Sequence, residues 1–298
     1  MRWPWSRRTK TAVKQEEVVP YIIFRGRRMK VDSPYMFPKD LGESNRLDMQ
    51  HYMLRYVLRG NFVAPIRHPQ SILDVGCGTG RWGAEMARQF PHANVVGLDL
   101  TPPSATSLAV TQAQGDAPEN YAFVEGDITK GMPFADNTFD FVHMRLVVLA
   151  LPSAAWAPAI QEIRRVTKPG GWVELVDTSV TPRAPGSAQW VEWAQTLARY
   201  RGIDMTAGAR IGQFLHEGGL RHVQEIPLEI PIGPWGGRIG NLMLADAMAG
   251  ARALETPVVD MAKLATKPQF DAAVAAMEHD FRTLPNCTQP FYVAYGQK

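Results

Sequence analysis

The sequence predicts an α/β fold in which a parallel β-sheet is covered by helices on both faces. Between about residues 71 and 178, short runs rich in Val, Ile and Leu alternate with segments of helical periodicity. Such alternation is typical of parallel strands joined by right-handed helical crossovers. The clearest unit runs from Ile72 to Phe90, where a strand, a glycine-rich loop and a helix follow one another. The chain has 298 residues, 45% of them hydrophobic, so we expect elements in addition to this core.

The loop of this first unit is suited to close contact with a bulky ligand. Three glycines at alternate positions follow the strand: Gly76, Gly78 and Gly80. Glycine accepts positive φ, and without a Cβ the backbone can lie against a ligand at the helix N-terminus. The spacing G-x-G-x-G, with no lysine after the last glycine, fits neither the dinucleotide fingerprint nor the phosphate loop well. The pattern therefore predicts a nucleotide cradle of another kind.

Acidic and basic residues stand where the predicted strands end. Ligands of parallel sheets bind beyond the carboxyl ends of the strands. Asp99 closes the second strand about 20 residues after the loop, where a carboxylate can accept hydrogen bonds from both hydroxyls of a ribose. The residues that we expect at this edge are Asp74, Asp99, Asp127, His143, Arg145 and Asp177.

The order of these motifs resembles that of the class I S-adenosylmethionine-dependent methyltransferases. ILDVGCGTG resembles the family's first motif, VVGLDL carries its ribose-binding acid and VEGDI its adenine-side acid, while Met132 to Arg145 and Val166 to Asp177 resemble the fourth and fifth strand motifs. The resemblance implies a Rossmann-like, seven-stranded, mostly parallel sheet whose last two strands are antiparallel. It also implies S-adenosyl-L-methionine as cofactor and S-adenosyl-L-homocysteine as product. The implied cofactor-binding residues are Asp74, Gly76, Cys77, Gly78, Gly80, Asp99, Leu100, Asp127, Ile128, Arg46 and Arg145.

Two elements are predicted before the core. Tyr21 to Val31 contains two short strand-like runs about Arg25-Gly26, which indicates a β-hairpin. After a stretch that contains two prolines, helical spacing predicts a helix from near Asn45 to about Arg59.

This N-terminal segment narrows the resemblance to a smaller group. The residues that carry it are Gly26, Arg27, Tyr35, Pro38, Asp40, Glu43, Arg46, Leu47, Asp48, Gln50 and His51. They resemble the LaeA-like methyltransferases, which include a fungal regulator of secondary metabolism and bacterial tailoring enzymes of secondary metabolites. Lys39 and Met29 depart from the group's pattern, which leaves the fold unaffected and weakens any detailed inference about the substrate.

The resemblance also implies roles for the N-terminal helix, which in this group lies over the cofactor. Arg46 is expected to meet the methionine carboxylate, and His51 or Tyr52 to line the acceptor pocket. The structural alternatives are a surface ion pair for Arg46 and an ordinary helix-face histidine for His51.

Methyl transfer from a sulfonium is an in-line displacement, so the enzyme mainly aligns the nucleophile and excludes water. A general base helps when the acceptor is a phenol, a hydroxyl or an amide. The candidates are His51, His143 and Asp177, each of which could instead hold a loop or the amine of the cofactor. An amine or an electron-rich carbon needs no base. A catalytic role for Cys77 is disfavoured, because no adjacent basic residue would lower the pKa of its thiol.

The part of the chain after Asp177 is predicted to form a helical cap and the last strands of the sheet. The expected elements are a helix with Trp190, Trp193 and Leu197 on one face, a helix from Ile211 to Leu220, an edge strand from Val223 to Ile232, two helices within residues 235–285 and a final strand from Phe291 to Gly296. We therefore divide the chain into residues 1–66 (basic tail, hairpin and helix), 67–178 (cofactor-binding core) and 179–298 (cap and last two strands).

Charge and composition bear on location and partners. Residues 1–30 hold nine Lys and Arg against two Glu, although the whole chain carries a net charge of only +3. This basic arm is best explained as a solvated tail, and binding to nucleic acid or to anionic lipid is the alternative. Two cysteines without a secretory leader indicate free thiols in a reducing compartment. We expect a cytoplasmic protein without a membrane span and without a bound metal.

The leading hypothesis is O-, N- or C-methylation of a small secondary-metabolite or quinone-like acceptor. The first alternative is a regulatory or interaction protein that retains the cofactor site with little turnover. The second alternative is a methyltransferase that acts on RNA or protein through the basic arm. A homodimer could form through the hairpin and the N-terminal helix.

Overall fold

The computed structural model describes residues 21–24, 27–30, 35, 37–102 and 118–298. The strands are β1 (Tyr21–Phe24), β2 (Arg27–Lys30), β3 (Ser71–Val75), β4 (Asn94–Asp99), β5 (Tyr121–Glu125), β6 (Phe139–Arg145), β7 (Thr167–Thr178), β8 (Arg221–Pro231) and β9 (Thr288–Gln297). The α-helices of the described residues are α1 (Leu41–Val57), α2 (Arg81–Gln89), α3 (Trp156–Val166), α4 (Ala188–Tyr200), α5 (Ile211–Glu217), α6 (Gly237–Ala253) and α7 (Lys267–Thr283).

Seven strands form the central sheet, in the order β5-β4-β3-β6-β7-β9-β8. Strands β3 to β7 are parallel, and β9 runs antiparallel to both of its neighbours, β7 and β8. This confirms the predicted fold, with β8 at the edge, where its prolines are tolerated. From β3 the chain continues to β4 and β5 on one side of β3, and it then crosses back to form β6 on the opposite side of β3. The switch point therefore lies between the carboxyl ends of β3 and β6, where such sheets bind ligands.

The centre of the sheet is apolar because helices cover both of its faces. β3, β4 and β6 are buried along most of their length. Helix α2 packs back on the sheet through Trp82 and Met86, which are four residues apart and both buried. The adjacent Phe90 caps the C-terminus of this helix.

The N-terminal helix begins earlier than the sequence predicted. It starts at Leu41, four residues before Asn45, because the side chain of Asp40 accepts a hydrogen bond from the backbone N–H of Glu43 and caps the helix. The helix also ends at Val57, before the predicted Arg59. The predicted hairpin is present as antiparallel β1 and β2, while its Arg25-Gly26 turn lies outside the described residues.

The cap and the N-terminal helix share one apolar core. Met53 and Leu54 of α1 are fully buried in the same cluster as one face of α7, which consists of Phe270, Val274, Met277 and Phe281. Both cysteines, Cys77 and Cys287, are buried and free. Among the described residues, no helix combines the length and hydrophobicity that a membrane span requires.

Candidate functional site

The glycine loop joins β3 to α2 in a conformation that depends on its glycines. Gly76, Gly78 and Gly80 have φ values of 68°, 53° and 73°, in the left-handed region that disfavours residues with a Cβ. The backbone N–H groups of Gly76 and Cys77 both donate to the carbonyl oxygen of Leu98, at 2.8 and 3.0 Å. The end of β4 therefore fixes the start of the loop.

Asp99 lies at the carboxyl end of β4, beside this loop. Its Oδ2 accepts a hydrogen bond from the N–H of Gly78 at 2.9 Å, and its Oδ1 accepts from the N–H of Thr101 at 3.3 Å. A carboxylate offers about four lone-pair positions, so capacity remains for the hydroxyls of a ribose. A strand-end carboxylate held beside a loop without Cβ atoms fits a nucleoside.

Helix α1 is fastened to the glycine loop by Asp48. The Asp48 carboxylate accepts from Thr79 Oγ1 at 2.7 Å and pairs with Arg81 Nη2 at 2.9 Å. A Cβ placed on Gly78 would lie 3.9 Å from Leu47 Cδ1, so Leu47 is the neighbour of the loop on this side. The N-terminal helix therefore contacts the loop, and its position over the cofactor stays a prediction.

A buried polar chain connects α1 to α2 and β6. Arg145 Nη2 donates to His51 Nδ1 at 3.1 Å, and because a guanidinium can only donate, Nδ1 must be unprotonated. The ring hydrogen is then on Nε2, which faces Glu85 Oε2 at 3.2 Å. Burial lowers the pKa of His51, although Glu85 opposes the shift. Nδ1 thus has a hydrogen-bond partner, whereas Nε2 and Glu85 Oε2 lie close together without a well-formed hydrogen bond among the described residues. The catalytic role of His51 stays a prediction.

His143 lies on β6, two residues before Arg145, and contacts the neighbouring strand β3. Its Nδ1 lies 3.1 Å from Asp74 Oδ1, and its ring stacks on the indole of Trp82 with centroids 3.9 Å apart. Burial lowers the pKa of His143, and Asp74 opposes this shift only in part. The structure places Asp74 and His143 beneath the loop as a buried pair. Trp82 belongs to the apolar core.

The remaining predicted cofactor residues lie along the same edge. The thiol of Cys77 is buried next to Tyr121, and burial holds the pKa of that thiol well above its usual range. Asp127 follows β5 and accepts hydrogen bonds from the N–H and the hydroxyl of Thr129, at 2.9 and 2.6 Å. Leu100 and Ile128 are partly exposed at the ends of β4 and β5.

A cavity of about 940 Å³, including its open mouth, lies between α1, the ends of β6 and β7, and the cap. Its walls are largely apolar, with Phe37, Leu47, Leu146, Trp190, Met243 and Phe291 among the lining residues. Leu47 borders both this cavity and the glycine loop. Trp190 lines the wall and donates its indole N–H to the carbonyl of Ala251 at 3.2 Å.

Asp177, at the end of β7, is the predicted catalytic residue that lines the cavity. Its carboxylate accepts from the backbone N–H groups of Val147 and Val148, both at 3.0 Å, and of Thr178 at 2.9 Å. Burial raises the pKa of Asp177 to about 7, and these hydrogen bonds oppose the shift. Asp177 therefore holds the loop after β6 and also presents a carboxyl group that titrates near neutrality.

Arg46 also lines the cavity, between two carboxylates. Its Nε and Nη2 bind Glu43 at 2.8 and 2.7 Å, and its Nη1 binds Asp246 Oδ1 at 2.9 Å. Gln50 Nε2 donates to the other oxygen of Asp246 at 3.0 Å. These bonds engage Arg46 on both sides, and its predicted contact with the methionine carboxylate stays a prediction.

Several residues of the site were not identified from the sequence. Glu85 and Asp246 carry no local pattern, because their partners lie on distant segments of the chain. Asp48 was among the residues that carry the N-terminal resemblance. Its place on α1, one turn before Tyr52, did not indicate that it would contact the glycine loop.

Comparison with known proteins places this geometry in a family. A methyltransferase-domain family model matches residues 72–171. The secondary metabolism regulator LAE1 of Cochliobolus heterostrophus is 32% identical over 218 residues, which cover 67% of this chain and 67% of that protein. The N-methyltransferase sirN of Leptosphaeria maculans is 29% identical over 211 residues, which cover 68% of this chain and 72% of that protein.

Solved structures show the same fold. Phosphoethanolamine N-methyltransferase 2 of Haemonchus contortus, in complex with S-adenosyl-L-methionine, superposes with a TM-score of 0.52 at 17% identity, covering 84% of this chain and 57% of that longer chain. A geranyl diphosphate methyltransferase in complex with the same cofactor gives 0.52 at 15% identity, covering 88% and 92% of the two chains.

The sequence relatives, the shared fold and the site geometry all indicate the same family. The relevant features of the site are the glycine loop, the acids at the strand ends and the helix that contacts the loop. The chain belongs to the class I S-adenosylmethionine-dependent methyltransferases, in the LaeA-like group, and its cofactor is S-adenosyl-L-methionine.

Proposed function

We propose that this enzyme methylates a small, largely apolar acceptor of secondary metabolism, bound in the cavity beneath the cap. The observation that carries the proposal is the cavity itself, which has apolar walls, shares Leu47 with the glycine loop and is lined by Asp177. Concave, mostly apolar sites with a few polar groups are typical of small-molecule binding. An RNA substrate would require a flat basic surface, whereas this cavity is concave and its walls are largely apolar.

The residues proposed to hold the cofactor surround the loop. Asp99 would bind the ribose, Asp127 the adenine side and the Gly76–Gly80 backbone the body of the nucleoside. Leu100, Ile128 and Cys77 would contact it from the same edge, and Asp74 and Arg145 would support the loop from below. When bound, the cofactor supplies an electrophilic methyl group on a sulfonium centre.

Asp177 is the proposed general base for an acceptor with an O–H or N–H group. In its ionised form the carboxylate can take the proton that the acceptor loses as its heteroatom gains the methyl group. Val147, Val148 and Thr178 fix the orientation of this carboxylate through their backbone N–H groups. The chain's own contribution is thus to align the acceptor, accept its proton and exclude water under the cap.

The relatives favour a second candidate function. One of them, LAE1 of Cochliobolus heterostrophus, is named a secondary metabolism regulator. This chain could likewise act as a regulator that binds the cofactor and transfers methyl groups slowly. Turnover with small acceptors separates the two functions, because a regulator of this kind would bind the cofactor but show little or no methylation of any of them.

A cavity-filling substitution tests the proposal. Gly250 lies on α6 at the cavity wall, and of the residues that the structure describes, a Cβ there would meet only Phe37, with Cε1 at 4.0 Å. Gly250→Leu places a new side chain in the cavity, whereas the control Ala249→Leu adds the same side chain on the exposed face of the helix. Methylation of a panel of phenols, amines and indoles would be measured together with binding of S-adenosyl-L-homocysteine.

We expect Gly250→Leu to lower methylation of the preferred acceptor at least about tenfold, because overpacking displaces the ligand. Product binding and the control variant should be unchanged. Equal methylation rates in Gly250→Leu and Ala249→Leu would show that the acceptor lies elsewhere. Product binding without methylation of any acceptor would favour the regulator.

A further inference from the structure

Arg183 is a cation of the cavity wall with unused hydrogen-bonding capacity. It lies in the segment after β7 and lines the cavity. Its Nη2 donates to the carbonyl of Ser179 at 2.9 Å, and its backbone N–H donates to Ser187 Oγ at 2.9 Å. Its Nε is buried and has no hydrogen-bond partner within the described part of the chain. Buried donors are normally satisfied, so this atom needs an explanation.

The two arginines of the cavity differ in their charge environment. Arg46 is neutralised by Glu43 and Asp246. Arg183 forms no ion pair with any carboxylate of the described residues, and burial lowers the pKa of its guanidinium. Glu229 raises this pKa only in part, and its carboxylate accepts instead from Thr288 Oγ1 at 2.6 Å.

The polar groups near Arg183 are already engaged with one another. Thr178 Oγ1 donates to the carbonyl of Pro290 at 2.6 Å, and Ser187 Oγ donates to that of Ala184 at 2.7 Å. Gln289 Nε2 donates to Thr178 Oγ1 and to the carbonyl of Ser179, at 2.7 and 2.9 Å. These groups complete the local loop structure, and within the described part of the chain they leave the guanidinium of Arg183 without an anion.

We propose that Arg183 binds an oxyanion of the methyl acceptor, so that the acceptor is a mainly apolar molecule with a carboxylate or a similar acidic group. A guanidinium is suited to planar oxyanions, and partial burial strengthens the interaction. Asp177 and Arg183 would then define the two polar ends of the bound acceptor, one at the reacting atom and one at the anion. This inference rests on the proposed function, because it assigns the acceptor to the same cavity.

Two fluorescent dyes with the same ring system provide the test. Anilinonaphthalene sulfonate is apolar and anionic, and N-phenylnaphthylamine lacks only the sulfonate. Both would be titrated into the wild-type protein, Arg183→Gln, Arg183→Lys and the control Arg201→Gln. Arg201 is also a partly buried arginine without a carboxylate partner in the described residues, and it lies outside the cavity wall.

We expect the wild-type protein to bind the sulfonate dye more tightly than the neutral dye. Arg183→Gln should weaken sulfonate binding by about tenfold or more, because a charged hydrogen bond is lost, and leave neutral-dye binding within about twofold. Arg183→Lys should retain part of the preference for the sulfonate dye over the neutral dye. Arg201→Gln should change the affinity for neither dye.

Three results would overturn the inference: equal loss of both dyes in Arg183→Gln, an unchanged affinity for the sulfonate, or no preference for the sulfonate in the wild-type protein. Dye binding requires no methyl transfer. A failure here therefore differs from a failure of the proposed function, which would appear as cofactor binding without acceptor turnover.

Discussion

Arg46 of α1 and Asp246 of α6 form a buried ion pair across 200 positions of the chain, with Nη1 and Oδ1 2.9 Å apart. Two residues further along α1, Asp48 binds Thr79 and Arg81 of the glycine loop. One helix therefore contacts the cap with one residue and the cofactor loop with another. The position of the cap and the position of the loop therefore both depend on α1.

The pair with Asp246 should make a large contribution to stability. Asp246→Ala leaves a guanidinium nitrogen of Arg46 and the amide of Gln50 buried without their partner, so we expect a loss of about 3 kcal/mol. The control Asp271→Ala removes an exposed ion pair with Lys267 on α7 and should cost at most about 1 kcal/mol. Urea denaturation at constant pH measures both. Similar midpoints for the two variants would mean that the pair does not hold α1 to the cap.

The activity should depend on pH through Asp177. Burial raises the pKa of this carboxyl to about 7, so it is protonated below that pH and cannot accept a proton. We expect kcat to rise with pH through about 7 for a phenol or hydroxyl acceptor. Asp177→Asn should remove this rise and lower kcat about 100-fold, while thermal melting and product binding check that the variant is folded. A pH profile that is the same in the variant and the wild type would exclude Asp177 as the base.

Glu174 should make the protein less stable as the pH rises. Its Oε2 accepts from the N–H groups of Val63 and Ala64, its Oε1 is buried without a hydrogen-bond partner among the described residues, and burial raises its pKa to about 7. Because the folded-state pKa lies above the unfolded value, the stabilisation is fully present below the unfolded pKa and is lost as the pH rises through about 7.

In the wild-type protein, Glu174 should lower the free energy of unfolding by about 3 kcal/mol between acidic pH and pH 8. We expect this decrease to be absent in Glu174→Gln. The control is Glu192→Gln, on the exposed face of α4. Urea titrations at several pH values measure the slope. A slope that stays the same in Glu174→Gln would show that the pKa of this carboxyl does not differ between the folded and the unfolded protein.

The fold and the cofactor loop were predictable because their signals are local. A run of apolar residues, alternating glycines and Asp99 at a strand end determine the loop within a few positions of one another. The start of α1 was also encoded locally, since Asp40 precedes Glu43 by three residues, which is the pattern of a helix cap. The prediction missed it because apolar spacing begins only later in the helix.

The acceptor side could not be predicted in this way. Asp246 and Arg46 meet only after the cap has folded onto α1, and His51 contacts Arg145 across 94 positions. The burial that raises the pKa of Asp177 comes from residues of many elements. Such properties arise from tertiary packing, and a single sequence contains no local pattern for them.

The most direct test of this account is calorimetric titration of S-adenosyl-L-homocysteine into the wild-type protein, Asp99→Ala and the exposed control Asp271→Ala. Loss of charged hydrogen bonds to the ribose should weaken binding about 100-fold in Asp99→Ala, while the control binds as the wild type does. No heat of binding to the wild-type protein for either the product or S-adenosyl-L-methionine, or equal affinities in all three proteins, would contradict the account.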